Sequence, residues 1–142
     1  MIPNNLEEVD ALLNMNIYQA GIQLFEDEWE SGDPDVAVRT NDDEYVIIMN
    51  KNFSTPFTPV HRKAHEFSHL LYSDMQHGEA YHFSPYLKKK DEAVANQGAI
   101  NLLTELIYQD MPLEERDWMK FMNVMNLPAE YEKIVQECVR MA

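Results

Sequence analysis

The chain has 142 residues, 45% of them hydrophobic, which suits a single domain with a buried core and argues against a disordered segment. Its 25 acidic and 11 basic residues give a formal charge of −14 and argue against direct binding of nucleic acid, because contacts to phosphate rely on Lys and Arg. One cysteine excludes an internal disulfide, and neither a secretion signal nor an apolar run of membrane-spanning length is present. We therefore expect a cytoplasmic protein that contacts neither membrane nor nucleic acid.

The first third of the chain predicts one helix followed by two strands. Four apolar residues recur at helical spacing within a helix predicted over about 5–29: Leu6, Val9, Leu13 and Ile17. After a turn signal at 31–34, residues 36–40 and 44–49 are rich in Val and Ile and predict two strands. The short turn between them indicates an antiparallel hairpin within a small antiparallel sheet.

The next segment carries the main chemical motif, because residues 65–69 have the pattern H-E-x-x-H. The surrounding sequence predicts a helix from Thr58 to about residue 73. On a helix, His65 and His69 lie one turn apart on the same face, so both imidazoles can bind one zinc ion. Glu66 does not need to bind the metal and is placed to accept a proton from metal-bound water.

A catalytic zinc site needs a third protein ligand and one open position for water. Glu92, which begins a second predicted helix over about 92–106, is the best candidate. Asn96 follows one turn later and is placed to orient a ligating histidine through a hydrogen bond. The predicted metal site therefore consists of Zn²⁺, His65, His69 and Glu92.

These residues carry a resemblance to a known family. An H-E-x-x-H motif followed by E-x-x-A-N and a helix rich in Ala and Leu resembles the ImmA/IrrE metallopeptidases, which are zinc-dependent and gluzincin-like. The similarity covers about residues 40–107. The matching positions are His65, Glu66, His69, Glu92, Ala95 and Asn96. The sequence departs from the family pattern at 67–68, where Phe-Ser replaces Leu-Gly, and at Gly98, which replaces an aromatic residue.

The resemblance implies a compact α+β, zincin-like peptidase domain that cleaves or inactivates a helix-turn-helix repressor of a phage or mobile element. It also implies that an edge strand near the site binds the substrate backbone. One of the two strands predicted above would serve this purpose, although both are equally well explained as core strands.

The connection between the two metal helices, about 74–90, must pass beside the site. Tyr81 and His82 are candidates in it for stabilising the oxyanion that forms when water attacks a peptide carbonyl, and packing is the alternative for each. His61 shares the helical face of His65 but lacks an intervening glutamate, and we interpret it as structural. The lysines at 88–90 are interpreted as a solvated linker.

After a break near 110–112, two further helices are predicted over about 113–126 and 128–141. Their acidic surfaces argue against reading DNA and favour a capping or partner-binding role. We expect a single domain over 1–142, with a core at about 31–109 and a helical extension at about 112–142.

The leading hypothesis is a zinc-dependent metallo-endopeptidase that acts on a regulatory protein. The alternative is a metallopeptidase-like module that inactivates a regulator by association without cutting it. A third and weaker hypothesis is an accidental motif in a structural α+β domain.

Overall fold

A computed structural model describes residues 6–142, and within them the fold is α+β, as predicted. In chain order the elements are α1 (Glu7–Gln19), β1 (Gln23–Asp27), β2 (Val36–Arg39), β3 (Tyr45–Asn50), α2 (Pro59–Tyr72), β4 (Ala80–His82), α3 (Lys90–Tyr108), α4 (Trp118–Met125) and α5 (Glu132–Met141). Two short 3-10 helices, 113–115 and 129–131, precede α4 and α5. No helix in this part of the chain combines the length and apolarity that a membrane span requires.

The four strands form one mixed sheet in the order β1-β3-β2-β4. The predicted antiparallel pairing of β2 with β3 is confirmed, but the prediction of a wholly antiparallel sheet is wrong, because β1 pairs with β3 in parallel. Neither predicted strand lies at an edge of the sheet, since β1 and β4 occupy both edges. The hypothesis that β2 or β3 offers a free edge to a substrate is therefore wrong.

The predicted helix over 5–29 is correct only for its first part, and its start at residue 5 lies outside the described residues. The helix α1 ends at Gln19, and Gly21 then adopts a positive φ of 78°, a left-handed conformation that glycine reaches without steric cost. The chain next enters β1, where Leu24 pairs with Ile47 of β3. Leu24 and Phe25, which continue the apolar spacing of the helix in the sequence, therefore belong to a strand.

The motif-bearing helix α2 begins where the sequence predicts. The Thr58 hydroxyl accepts a hydrogen bond from the backbone N–H of His61, and Pro59 occupies the first turn. Every residue from 60 to 69 is buried, so α2 runs through the centre of the protein. Lys63, only 4% exposed, is accommodated there because its ammonium group donates hydrogen bonds to Asp10 and Asn14 of α1.

The helix that carries Glu92, the predicted third ligand, is α3. It packs along α2 with very little space between the two helices. Ala95 and Ala99 of α3 are completely buried. A Cβ atom added to Gly98 would lie 2.7 Å from the Ser68 hydroxyl oxygen and 3.2 Å from Cδ2 of Tyr72. Small side chains along α3 thus bring α2 and α3, which carry the predicted ligands, close together.

The predicted C-terminal helix pair is confirmed as α4 and α5, each preceded by a single 3-10 turn. Val135 of α5 and Phe121 of α4 belong to the same buried apolar cluster as Leu13 of α1 and Ala64 of α2. The C-terminal helices therefore contribute to the central core that holds α2 and α3 in place.

Candidate metal centre

Three buried side chains from α2 and α3 converge on one point. The Nε2 atoms of His65 and His69 lie 3.1 Å apart. Glu92 places one carboxylate oxygen 3.0 Å from Nε2 of His65 and the other 3.2 Å from Nε2 of His69. Both imidazoles are completely buried, and Glu92 is 6% exposed. These three residues form a group that could hold a metal ion.

Hydrogen bonds at the far side of each imidazole select the form that binds a metal. Nδ1 of His65 lies 2.8 Å from the side-chain oxygen of Asn96, and the Asn96 amide nitrogen donates to the backbone oxygen of Ser84. Since this second bond fixes the amide orientation, the Asn96 oxygen accepts a hydrogen bond from the N–H at Nδ1 of His65. Nδ1 of His69 lies 3.1 Å from the Ser73 hydroxyl, which can accept a hydrogen bond in the same way. With a proton on each Nδ1, both Nε2 atoms carry free lone pairs.

The arrangement of these lone pairs fits a cation. Two neutral Nε2 atoms and a carboxylate facing one another at hydrogen-bond distance are all acceptors, so they repel each other unless a positive charge lies between them. Ligand atoms about 2.0–2.1 Å from a tetrahedral zinc ion lie about 3.3 Å apart. The observed separations of 3.0, 3.1 and 3.2 Å agree with that spacing to within a few tenths of an ångström.

The ionisation of the ligands also suits metal binding, which requires neutral imidazole and ionised carboxylate. Burial lowers the pKa of His65 and thereby favours its neutral form, although the nearby carboxylate of Glu92 opposes this. Burial raises the pKa of Glu92, but the adjacent imidazoles of His65 and His69 outweigh that effect and bring it to about 2. These shifts favour the neutral imidazole of His65 and the anionic carboxylate of Glu92, the forms that bind a metal.

Glu66 lies beside this centre without a partner. Its side chain is completely buried, and neither carboxylate oxygen makes a hydrogen bond within the described part of the chain. Burial first, and then the charges of Asp35 and Glu92, raise the pKa of Glu66 well above its usual range. A carboxyl group with its pKa raised in this way is a candidate for proton exchange at the centre.

A buried ion pair near Glu66 is a feature that sequence reasoning missed. Nε of Arg62 donates to the Asp35 carboxylate at 2.7 Å, and both side chains are almost completely buried. Asp35 also accepts a hydrogen bond from the backbone N–H of Asn50, and Arg62 donates to the backbone oxygen of Phe57. The pair joins α2 to the start of β2. Since the partners are 27 residues apart, no local pattern identifies it.

Of the two oxyanion candidates, Tyr81 lies at the centre and His82 lies away from it. The Tyr81 ring stacks on His69 with ring centroids 4.5 Å apart, and its hydroxyl donates to Asp91 at 3.4 Å. His82 is the next residue of β4 and points to the opposite face of the sheet, where it is exposed. Phe83, which the sequence did not single out, packs edge-on against His65 at 4.8 Å.

His61 occupies an apolar pocket, as expected of a structural residue. Its ring stacks on Phe57 and meets Phe83 and Tyr131 edge-on, and neither ring nitrogen has a hydrogen-bond partner in the described residues. Burial, followed by repulsion from His65, lowers the pKa of His61 to about 3. The ring is therefore neutral at physiological pH.

No protein-family profile, curated protein or solved structure matches this chain. The function of the protein is therefore inferred from the geometry of His65, His69, Glu92 and Glu66.

Proposed function

We propose that this protein is a zinc-dependent metallo-endopeptidase of the ImmA/IrrE type, with a zincin-like fold. The convergence of three side chains supports this most directly, since the Nε2 atoms of His65 and His69 lie 3.1 Å apart and each lies only 3.0–3.2 Å from a carboxylate oxygen of Glu92. Two imidazoles and one carboxylate, with an adjacent carboxyl group that does not ligate, are the donor set of hydrolytic zinc sites. Asn96 and Ser73 hold both imidazoles in the orientation that such a site needs.

In this proposal the residues divide the work of peptide hydrolysis. Zinc, when bound, supplies a Lewis acid and lowers the pKa of water toward neutrality. Glu66 accepts the proton of the attacking water as oxygen bonds to the peptide carbonyl carbon. Glu66 then delivers that proton to the leaving nitrogen as the carbon–nitrogen bond breaks. Tyr81 keeps its hydroxyl proton, because burial and the carboxylates of Glu79 and Asp91 raise its pKa to about 12. It can donate that proton in a hydrogen bond to the developing oxyanion in place of Asp91.

The strand β4 offers a route for a substrate to the centre. It is an edge strand, and it carries Tyr81 directly against His69. An extended peptide that adds to its free edge would pass beside the metal ligands. We further propose, by resemblance, that the substrate is a helix-turn-helix repressor of a phage or mobile element and that the reaction takes place in the cytoplasm.

The experiment that tests catalysis compares wild type with Glu66→Gln on a mixture of unstructured peptides, with mass spectrometry to detect new termini. We expect the variant to retain zinc and to lose cleavage by about 100-fold or more, because the amide of glutamine cannot accept a proton from water. His61→Gln is a matched control that alters α2 one turn away from the metal ligands. Undiminished cleavage by Glu66→Gln would remove this glutamate from the mechanism.

A second candidate function is a metal-containing module that inactivates a regulator by association alone. One observation favours it: the oxygens of Glu66 are completely buried, so neither water nor substrate reaches them without movement of the covering residues. The two candidates differ in a repressor-release assay with a purified candidate repressor. Equal release by wild type and Glu66→Gln would favour association, and release lost with zinc retained would favour hydrolysis.

A further inference from the structure

The sheet has one face covered by helices and one face that no described helix covers. Side chains alternate along each strand, so one row crosses the sheet on the covered side: Leu24, Ile47, Ala37 and Tyr81. Ile47 and Ala37 in this row are completely buried, and Tyr81 stacks on His69 of α2. The helices α1 and α2 therefore pack on this side.

The opposite side, which we call the open face, is also apolar. It consists of Phe25, Val36, Val38, Val46 and Ile48, which register places beside one another across three strands. None of the five belongs to the buried cluster that the helices share or packs against it. Phe25 is 52% exposed, Val36 is buried, and Val38, Val46 and Ile48 are half-buried. An apolar patch of this kind outside the core is a candidate for contact with a partner.

The size of the open face limits what can bind there. The five side chains span three strands about 4.8 Å apart and two residue positions about 7 Å apart along the strands, so the apolar area is on the order of 100 Å². Specific interfaces bury about 800 Å² on each partner. A partner must therefore also contact the residues that surround the open face.

Those surrounding residues are strongly acidic. The segment 22–38, which forms β1, all of β2 except its last residue and their connection, contains no Lys or Arg. Arg39, which ends β2, pairs with Asp43. Four acidic residues of the segment are exposed: Asp27, Glu28, Glu30 and Asp33. Its two other acidic residues pair with lysine or arginine elsewhere in the protein. The rim of the open face thus carries uncompensated negative charge, which attracts a basic partner and repels a second copy of this chain.

A small cavity next to the open face also suits a basic partner. It has a volume of about 240 Å³, and its walls are Trp29, Asp33, Pro34, Val36 and His82. Apolar and aromatic walls with one exposed carboxylate suit the long side chain of arginine, whose guanidinium stacks on an indole and pairs with a carboxylate. Trp29 is held in place because its backbone N–H donates to the buried Asn50 side chain.

We propose that the open face is a docking surface for a basic protein segment. The apolar side chains of that segment lie on Phe25 and Ile48, and one arginine enters the cavity beside Trp29 and Asp33. The surface lies on the side of the sheet away from His65, His69 and Glu92. Docking at this surface is therefore independent of metal binding and hydrolysis, so a peptide-binding experiment can fail without contradicting the proposed hydrolysis, and the reverse also holds.

The test uses a synthetic peptide in which arginine alternates with valine, with binding followed by fluorescence anisotropy. We expect Phe25→Ser to weaken binding about tenfold or more, because it removes the largest apolar contact. Tyr18→Ser is the matched control, since Tyr18 is 62% exposed on α1, which packs on the covered side. Asp33→Asn should weaken binding about threefold, and Asp110→Asn, which makes the same change of charge after α3, should have less effect.

Three results would overturn the proposal. The first is equal affinity of Phe25→Ser and Tyr18→Ser for the arginine peptide, which would mean that general charge attraction explains the binding. The second is equal binding of a peptide in which glutamate replaces every arginine. The third is a dimer, detected by light scattering, that Phe25→Ser dissolves, which would identify a second copy of the chain as the occupant.

Discussion

The close contact between α2 and α3 allows a quantitative prediction at Gly98. In Gly98→Ala the new Cβ atom would lie 2.7 Å from the Ser68 hydroxyl oxygen and 3.1 Å from the Ser68 Cβ atom. Alanine inside a helix gains about 1 kcal/mol over glycine, whereas overpacking a tight contact costs about 1–3 kcal/mol. The packing cost dominates, and we expect a net loss of about 1 kcal/mol in the free energy of unfolding.

A second substitution tests this reasoning. Ser68→Ala removes the nearest atom, and it also removes a buried hydroxyl that has no hydrogen-bond partner in the described residues. Gly98→Ala should therefore be neutral or stabilising in the Ser68→Ala background, with a coupling free energy of about 1–2 kcal/mol between the two positions. Urea denaturation of the four proteins in excess chelator measures this, and a loss of 1 kcal/mol should lower the midpoint of thermal unfolding by about 3 °C.

The result also bears on the metal centre, because Gly98 lies six positions after Glu92 on α3. If the helices move apart to admit the new methyl group, zinc affinity should fall in Gly98→Ala and recover in the double variant. A stabilisation of about 1 kcal/mol by Gly98→Ala in both backgrounds would refute the reasoning, since it would leave only the helix propensity of alanine.

Three further predictions follow from buried polar groups. Asn96→Ala should weaken zinc binding about 10–100-fold, measured by competition with a chelator, because Nδ1 of His65 loses its acceptor. Burial lowers the pKa of His61 from 6.5 in the unfolded chain to about 3 in the folded protein, so its contribution to stability is complete above pH 6.5 and is lost as the pH falls toward 3. The variant His61→Phe lacks this titration. In urea denaturation of the metal-free protein, the variant should therefore lose less stability on acidification than wild type, by up to about 1.4 kcal/mol per pH unit. Arg62→Met should cost about 3–5 kcal/mol in urea denaturation at pH 7, because it leaves the Asp35 carboxylate buried and unpaired; a loss below 1 kcal/mol would contradict this.

The sequence predicts the helices of the metal centre because their determinants are local. The spacing of His65 and His69 specifies one helical face, and Thr58 and Pro59 mark the start of α2. The group formed with Glu92 follows once α2 and α3 pack along each other.

The strands at the sheet edges depend on residues distant in sequence and are harder to predict. In β1, Leu24 continues the apolar spacing of α1, and only its pairing with Ile47 of β3 makes the segment a strand. β4 has three residues, too few for an alternating pattern to be recognised. The contact between Ser68 and Gly98 is also non-local, although both positions are departures from the ImmA/IrrE pattern. In the structure the missing side chain at Gly98 leaves the space that Ser68 occupies.

The most direct test of a metal centre is anomalous diffraction at the zinc edge from crystals grown with zinc. We expect one strong peak about 2.0–2.1 Å from Nε2 of His65, Nε2 of His69 and a carboxylate oxygen of Glu92. A peak bound by other residues, or none at this position in a protein that has been exposed to excess zinc, would contradict the central claim.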